Sequence, residues 1–395
     1  MNEYSEEKEN LSARKALSPV YTLALGVFGL IIAEFLPSSL LIPLSQSLGI
    51  SDGVAGQAVT ATAIAALFSG LFITTVTKNI DRKKVIMALT ALQILSSLVV
   101  ALSPSFFMLM AGRMLLGIAI GGFWALATAA VIKMLNGQDI NRGLAIIYSF
   151  VSAATVIAAP AGSYLGEIIG WRMVFILSML PGIVALILQF RMLPAMKPDM
   201  QVTTAGLVNC FKLPGIKSGL AAVVLVFGSH FAFFTYLRST LESTFKYNAL
   251  QVSHMYLLFG IACFISSSFA AKILDRSLKF TLLLVPALMG ISSLLFIFCT
   301  YKPGVEPVLI ACWGLAFGLL PVGWSAWVAN VASRQAECAG GLLVASVQLA
   351  ISIGSAMGGG IFDLYGPAGI FIACLIFFMV AVMLIQVKIQ REYNP

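Results

Sequence analysis

Twelve apolar stretches recur along this chain, each about as long as a helix must be to cross a hydrocarbon layer, and no other feature narrows its folding choices so much. At 1.5 Å of rise per residue, roughly 20 apolar residues span that layer. The stretches lie near 20–44, 54–76, 85–102, 106–131, 143–165, 172–192, 218–241, 252–274, 280–300, 307–331, 339–362 and 368–387. Lipid offers no partner to a backbone N–H or C=O, so such segments must be helices that satisfy their own hydrogen bonds. With 59% of residues hydrophobic and 10% charged, a water-soluble core is excluded. The expected fold class is an all-α membrane protein of twelve transmembrane helices.

Orientation follows from the basic residues, because basic loops stay on the cytoplasmic side. Placing both termini inside puts 19 Lys and Arg on that face and leaves only Arg172, Arg238, Lys246 and Lys302 outside. Arg113 alone falls within a span. Residues 1–19 carry Glu3, Glu6, Glu7 and Glu9 and lack the basic start and short apolar middle of a cleavable signal, so they read as a flexible cytoplasmic tail, as do residues 388–395. The net charge of +8 reflects this topology, and no nucleic-acid surface is read into it. Six scattered Cys show no spacing for a metal or disulfide framework.

A polar, Pro-containing linker, 193–217, divides the chain into six-helix bundles at 20–192 and 218–387. The bundles echo one another. Asp81-Arg82 after span 2 matches Asp275-Arg276 after span 8, and Gln57 matches Gln251, at an offset of 194; Glu167 and Gly170 match Asp363 and Gly366 at 196. An internal repeat of this kind makes two pseudo-symmetric halves and places a transported solute at their interface near mid-membrane. The offset of 196 also carries Glu34 in span 1 onto His230 in span 7.

Well inside the spans, the ionisable side chains are Glu34, Arg113 and His230. Such groups cost several kcal/mol in lipid unless compensated and are functional by default. Glu34 and Arg113 fall at similar depths in the outer half and could pair. A pair that loosens as the protein moves would let Glu34 take up a proton, whereas a permanent pair would only fix packing. For His230, proton relay, ligand contact and a structural role stay open. Arg113, Gly117 and Gly121 share one face of span 4, which suits cavity lining or close helix packing.

Further solute contacts are sought among groups that can stack on a flat ring or hydrogen-bond to it: Phe123 and Trp124 in span 4, Phe231, Phe234 and Tyr236 around His230, Trp324 and Ser325 in span 10, Gln57 in span 2 and Gln348 in span 11. Trp327 suits a membrane-interface anchor. Pro160 kinks span 5 as a hinge or seal. Asp81, Arg82, Asp275 and Arg276 sit where they could lock the cytoplasmic face, or serve only as solvated topology signals.

The six-plus-six arrangement, the Asp-Arg loops, the Arg113-to-Gly121 pattern and the Pro160 pattern together resemble the major facilitator superfamily, specifically its drug–proton antiporter group, over essentially the whole chain. The runs Glu34-Phe35-Leu36-Pro37, Gly122-Phe123-Trp124-Ala125, Gly166 to Arg172, Phe231 to Arg238 and Pro321 to Ser325 resemble the bacterial purine-ribonucleoside efflux carriers. Thr77 and Ala271 replace the leading Gly of the usual loop signature, and Ala159 replaces the Gly before Pro160. The resemblance implies export of inosine- or guanosine-like nucleosides in exchange for protons by alternating access, with no cofactor beyond the proton gradient. It implies a monomer whose partners are a small solute, protons and the bilayer. A multidrug or sugar exporter is the alternative within the superfamily, and a non-transporting membrane sensor a more distant one. No G-x-S-x-G, H-E-x-x-H or Walker pattern supports an enzyme.

Overall fold

The computed structural model describes residues 2–135, 138–197, 210–299, 304–331 and 336–389, and among them regular structure is entirely helical. Eleven described helices are long and apolar enough to cross a membrane, and the last, Ala339–Val387, contains two spans. They meet at Gly366, whose φ of 64° breaks the helix in a conformation that glycine takes without a Cβ clash, with Pro367 next. The twelve expected spans are therefore all present. Spans 2 to 5 are Asp52–Val76, Arg82–Ala101, Phe106–Met134 and Gln138–Ile169; spans 8 to 10 are Ala249–Arg276, Leu278–Cys299 and Glu306–Val331.

Three spans are interrupted where single helices were expected. Span 1 runs Asn2–Ser39 and resumes as Leu41–Leu48; span 6 is Trp171–Leu177 then Met179–Met192; span 7 is Ile216–Thr235 then Leu237–Phe245. Proline explains two of them. Pro43 and Pro181 have no N–H to donate to Ser39 and Leu177 four residues back, so each helix loses a rung at its break. At the third break the Tyr236 N–H bonds to Phe233, a tighter turn than an α-helix makes. Residues 2–19, expected as a flexible tail, continue span 1 as helix, in keeping with their Glu, Lys, Leu and Ala content. The linker is irregular over 193–197, its residues 198–209 lie outside the described set, and the chain ends its described part in a π-helical turn, Ile385–Ile389. Residues 390–395 are likewise outside it.

Side-chain caps start several spans: Ser51 accepts from the Val54 N–H, Asp81 from Lys83 and Ser105 from Met108, while Asn248 and Gln251 form a reciprocal capping box. Span 2 packs on span 4, span 7 on span 11, and span 1 on spans 5 and 6; across the halves, span 2 meets span 11 and span 5 meets span 8. The span 4 glycines serve packing. A Cβ on Gly117 would stand 2.2 Å from the Thr62 carbonyl oxygen, and one on Gly121 2.1 Å from that of Ala66. Span 2 thus closes over that face, and only Arg113 at its head reaches a pocket.

Candidate functional site

Glu34 opens into a small pocket between the halves. Phe35, Ser38, Thr62 and Arg113 line it from the first half, and Phe231 and Ile351 from the second. Its free volume, about 10 Å³, is room for about one water, so a solute can enter only once the halves part. The internal repeat is visible in its walls, because Phe35 and Phe231 are related by the offset of 196 and both face it.

Arg113 is fully buried, and its guanidinium donates to backbone carbonyls. Its Nη1 donates to the Ala33 carbonyl at 2.7 Å, its Nε to Ala58 at 3.3 Å and its Nη2 to the backbone carbonyl of Glu34 at 3.3 Å. Among the described residues no hydrogen bond or ion pair joins it to the Glu34 carboxylate. Pro37 is the cause. Lacking an N–H, it leaves the Ala33 carbonyl without a helical partner, and a guanidinium is the strongest donor within reach. The signal stood in the sequence as the Pro of Glu34-Phe35-Leu36-Pro37.

Above the pocket, at the end opposite the basic loops, the halves are bolted together. Asp363, at the end of span 11, accepts from the Ser51 hydroxyl at 2.6 Å and the Gly53 N–H at 3.0 Å, so a carboxylate of one half caps a helix of the other. The Tyr236 hydroxyl donates to Gly53 and Ser355 carbonyls at 3.3 and 2.9 Å, Thr60 meets Ser355 at 2.8 Å, and Ser239 donates to Asp52 at 2.6 Å. Arg238 reaches the Ser39 carbonyl freed by Pro43 at 2.7 Å, pairs with Glu242 at 2.7 Å and lies 3.8 Å from Glu167. Tyr256 donates to the Ser38 carbonyl at 3.1 Å and Ser253 to that of Pro160 at 2.9 Å. All of these bonds across the halves lie at that end.

Residues 23–337 match the family model of the Major Facilitator Superfamily. The chain is 40% identical over 368 residues, 93% of each protein, to the purine ribonucleoside efflux pump NepI of Salmonella paratyphi B, and 39% identical over the same length to that of Salmonella enteritidis. It belongs to the major facilitator superfamily. Solved structures agree on the fold. A D-xylose-proton symporter superposes with a TM-score of 0.79 at 13% identity, covering 94% of this chain and 97% of that one. A bacterial Spinster homologue in an inward-facing, occupied conformation gives 0.73 at 12%, covering 94% and 96%. The chain is thus a multi-pass membrane transporter of this superfamily and not an enzyme.

Placed on that superfamily fold, the other expected contacts separate into groups. Phe231 is on the pocket, and Phe234 stands edge-on to Phe35 across the halves at 5.6 Å between centroids. Gln57 and Tyr236 belong to the outer seal: Gln57 donates to the Gly53 and Ala356 carbonyls at 3.3 and 3.4 Å, a different job from its repeat mate Gln251. Phe123 is buried against Gly26, inside the first half, and Trp124 stacks on Tyr148. Trp324 packs edge-on to Trp327, whose ring lies against Gly219 at the start of span 7; Trp327 is buried there and is no interface anchor. Ser325 is exposed, and Gln348 is buried with its Nε2 unpartnered. His230 sits one ring behind the pocket wall, its Nδ1 3.0 Å from the Trp313 indole nitrogen.

Asp81 and Arg82 make no lock between the halves here. Asp81 caps span 3, and Arg82 donates to Thr77 Oγ1 at 3.1 Å while its N–H bonds to Met196. The Asp275 side chain lies outside the described residues, and Arg276 is exposed. The repeat marked Glu167 and Asp363 of this seal as equivalents, but not their partners, since its acids and hydroxyls meet across the two halves.

Proposed function

We propose that this transporter exports purine ribonucleosides, inosine- and guanosine-like solutes and their analogues, in exchange for protons. The observation that carries the reading is the Glu34 carboxylate, facing an inter-half pocket while Arg113 is engaged by backbone carbonyls. An acid whose pocket opens to water on one side of the cycle can bind a proton there, and release it when rocking of the halves changes its surroundings. Phe35 and Phe231 offer ring faces from the two halves to a flat base, with Ser38 and Thr62 hydroxyls at hand. The similarity to the nucleoside efflux pumps supports this solute class. Each charge moved inward yields about 2.3 kcal/mol per 100 mV, enough to concentrate a solute tens of times. On this reading the protein works as a monomer in the bacterial inner membrane with both termini inside.

The test is nucleoside flux in proteoliposomes under an imposed pH gradient. Glu34→Gln is expected to abolish gradient-driven accumulation while leaving slow exchange; accumulation at the wild-type level would end the proton assignment. The largely apolar wall supplied by Val59, Phe231 and Ile351 favours a drug exporter as the second reading. Thermal-shift screening separates the two: stabilisation by inosine or guanosine supports the first, and by hydrophobic cations alone the second.

A further inference from the structure

We infer that Trp313 holds His230 as a neutral hydrogen-bond donor, with its Nε2–H reserved for an acceptor atom of the transported solute, so that His230 selects the solute and carries no proton for the cycle. The solute named here rests on the nucleoside reading; the state of the ring rests on geometry.

An indole N–H can only donate. With Trp313 Nε1 3.0 Å from His230 Nδ1, that ring nitrogen must present its lone pair, and the single proton of a neutral imidazole then resides on Nε2. Trp313 cannot easily turn away. It is fully buried, tilted against Phe233 at 4.2 Å and edge-on to Phe378 at 5.7 Å. The imidazole is equally confined, stacked on Phe317 at 3.9 Å with Phe234 at 5.3 Å and Phe259 at 6.0 Å, and edge-on to Phe231 at 5.0 Å. Spans 7, 8 and 10 thus pack aromatic rings on it, and none of these neighbours carries a charge that could stabilise an imidazolium.

Nε2 is buried and has no hydrogen-bond partner. A buried N–H left unpaired is costly, and a purely structural aromatic at this place would be Phe, as its neighbours are. The route to a partner is short. Phe231 forms the pocket wall, and Phe234 is pinned by Phe35 of the other half. Parting the halves breaks that edge contact and loosens Phe231 and Phe234, two of the rings packed on the imidazole. What fits behind them is a flat, neutral heteroaromatic ring carrying a nitrogen or carbonyl acceptor, since a cation would be repelled by the N–H dipole.

The chain has two His, and His254 is exposed near the outer end of span 8, so His254→Gln leaves a single histidine to observe. In ¹⁵N-histidine-labelled protein in lipid, we expect the Nε2–H tautomer pattern, a mixture of tautomers once Trp313→Phe is added, and movement of the Nε2 resonance when inosine is supplied. His230→Phe should weaken inosine binding about tenfold, and His230→Gln, which keeps an N–H near Nε2, should restore it to within about threefold. A doubly protonated ring or an Nδ1–H pattern in the His254→Gln protein overturns the assignment, and so does wild-type inosine affinity in His230→Phe. A wild type that binds no purine at all yet shows the Nε2–H pattern refutes the nucleoside reading and the solute named here, while the hold of Trp313 on the ring stands.

Discussion

Removing the charge of Asp363 should unlatch the outer end. In Asp363→Asn one acceptor oxygen survives, but the charge assistance to the 2.6 Å bond from Ser51 and the 3.0 Å bond from Gly53 is lost. Hydrogen bonds to a charged group contribute about 1.5–3 kcal/mol when well shielded; this pair lies at a partly wetted edge, and a loss of about 1–2 kcal/mol is the fair figure. That weakens the closed outer end relative to an open one by about 5- to 30-fold. Spin labels at the exposed positions Gln46 and Lys246, on opposite halves at that end, report the change as a distance distribution. The long-distance fraction should rise by that factor in Asp363→Asn. Gly53→Ala should act the same way, because its Cβ would stand 2.3 Å from Asp363 Oδ2. Unchanged distributions in both variants would refute the latch, and a rise at the cytoplasmic end instead would reverse its sense.

Tyr236→Phe removes the hydroxyl held by Gly53 and Ser355, and should open the same end by about 1 kcal/mol in the label assay, less than additively with Asp363→Asn because both act on Gly53. Gly117→Ala and Gly121→Ala push a methyl into carbonyls of span 2; each should cost about 1–3 kcal/mol and show as a lower melting temperature in detergent, whereas a melting curve matching wild type would mean that span 2 gives way freely. Arg113→Lys has one point charge in place of the fork that serves three carbonyls, so at least one acceptor goes unmet; melting should fall by an amount corresponding to about 1–3 kcal/mol, and full stability would show that the fork is dispensable.

Span count, the helical class and the placing of Glu34 in the membrane were legible in the amino-acid sequence because each follows from local chemistry: twenty apolar residues without a break have one stable form in lipid, and an acid among them stands out whatever its neighbours do. Pro37 and Pro43 also stood in plain view, and with them the two carbonyls that each helix must leave bare. What no spacing could reveal is who claims those carbonyls. Arg113 takes one and Arg238 the other. The twofold repeat put Gln57 beside Gln251 and Glu34 beside His230 as equivalents, yet each pair does different work once the halves face each other. The outer seal, the Trp313 bond to His230 and the burial of Phe123 and Trp324 away from the pocket were decided by tertiary structure alone. A hydrogen bond between spans depends on depth, rotation and which half a residue faces, and those are set by the packing of the whole bundle.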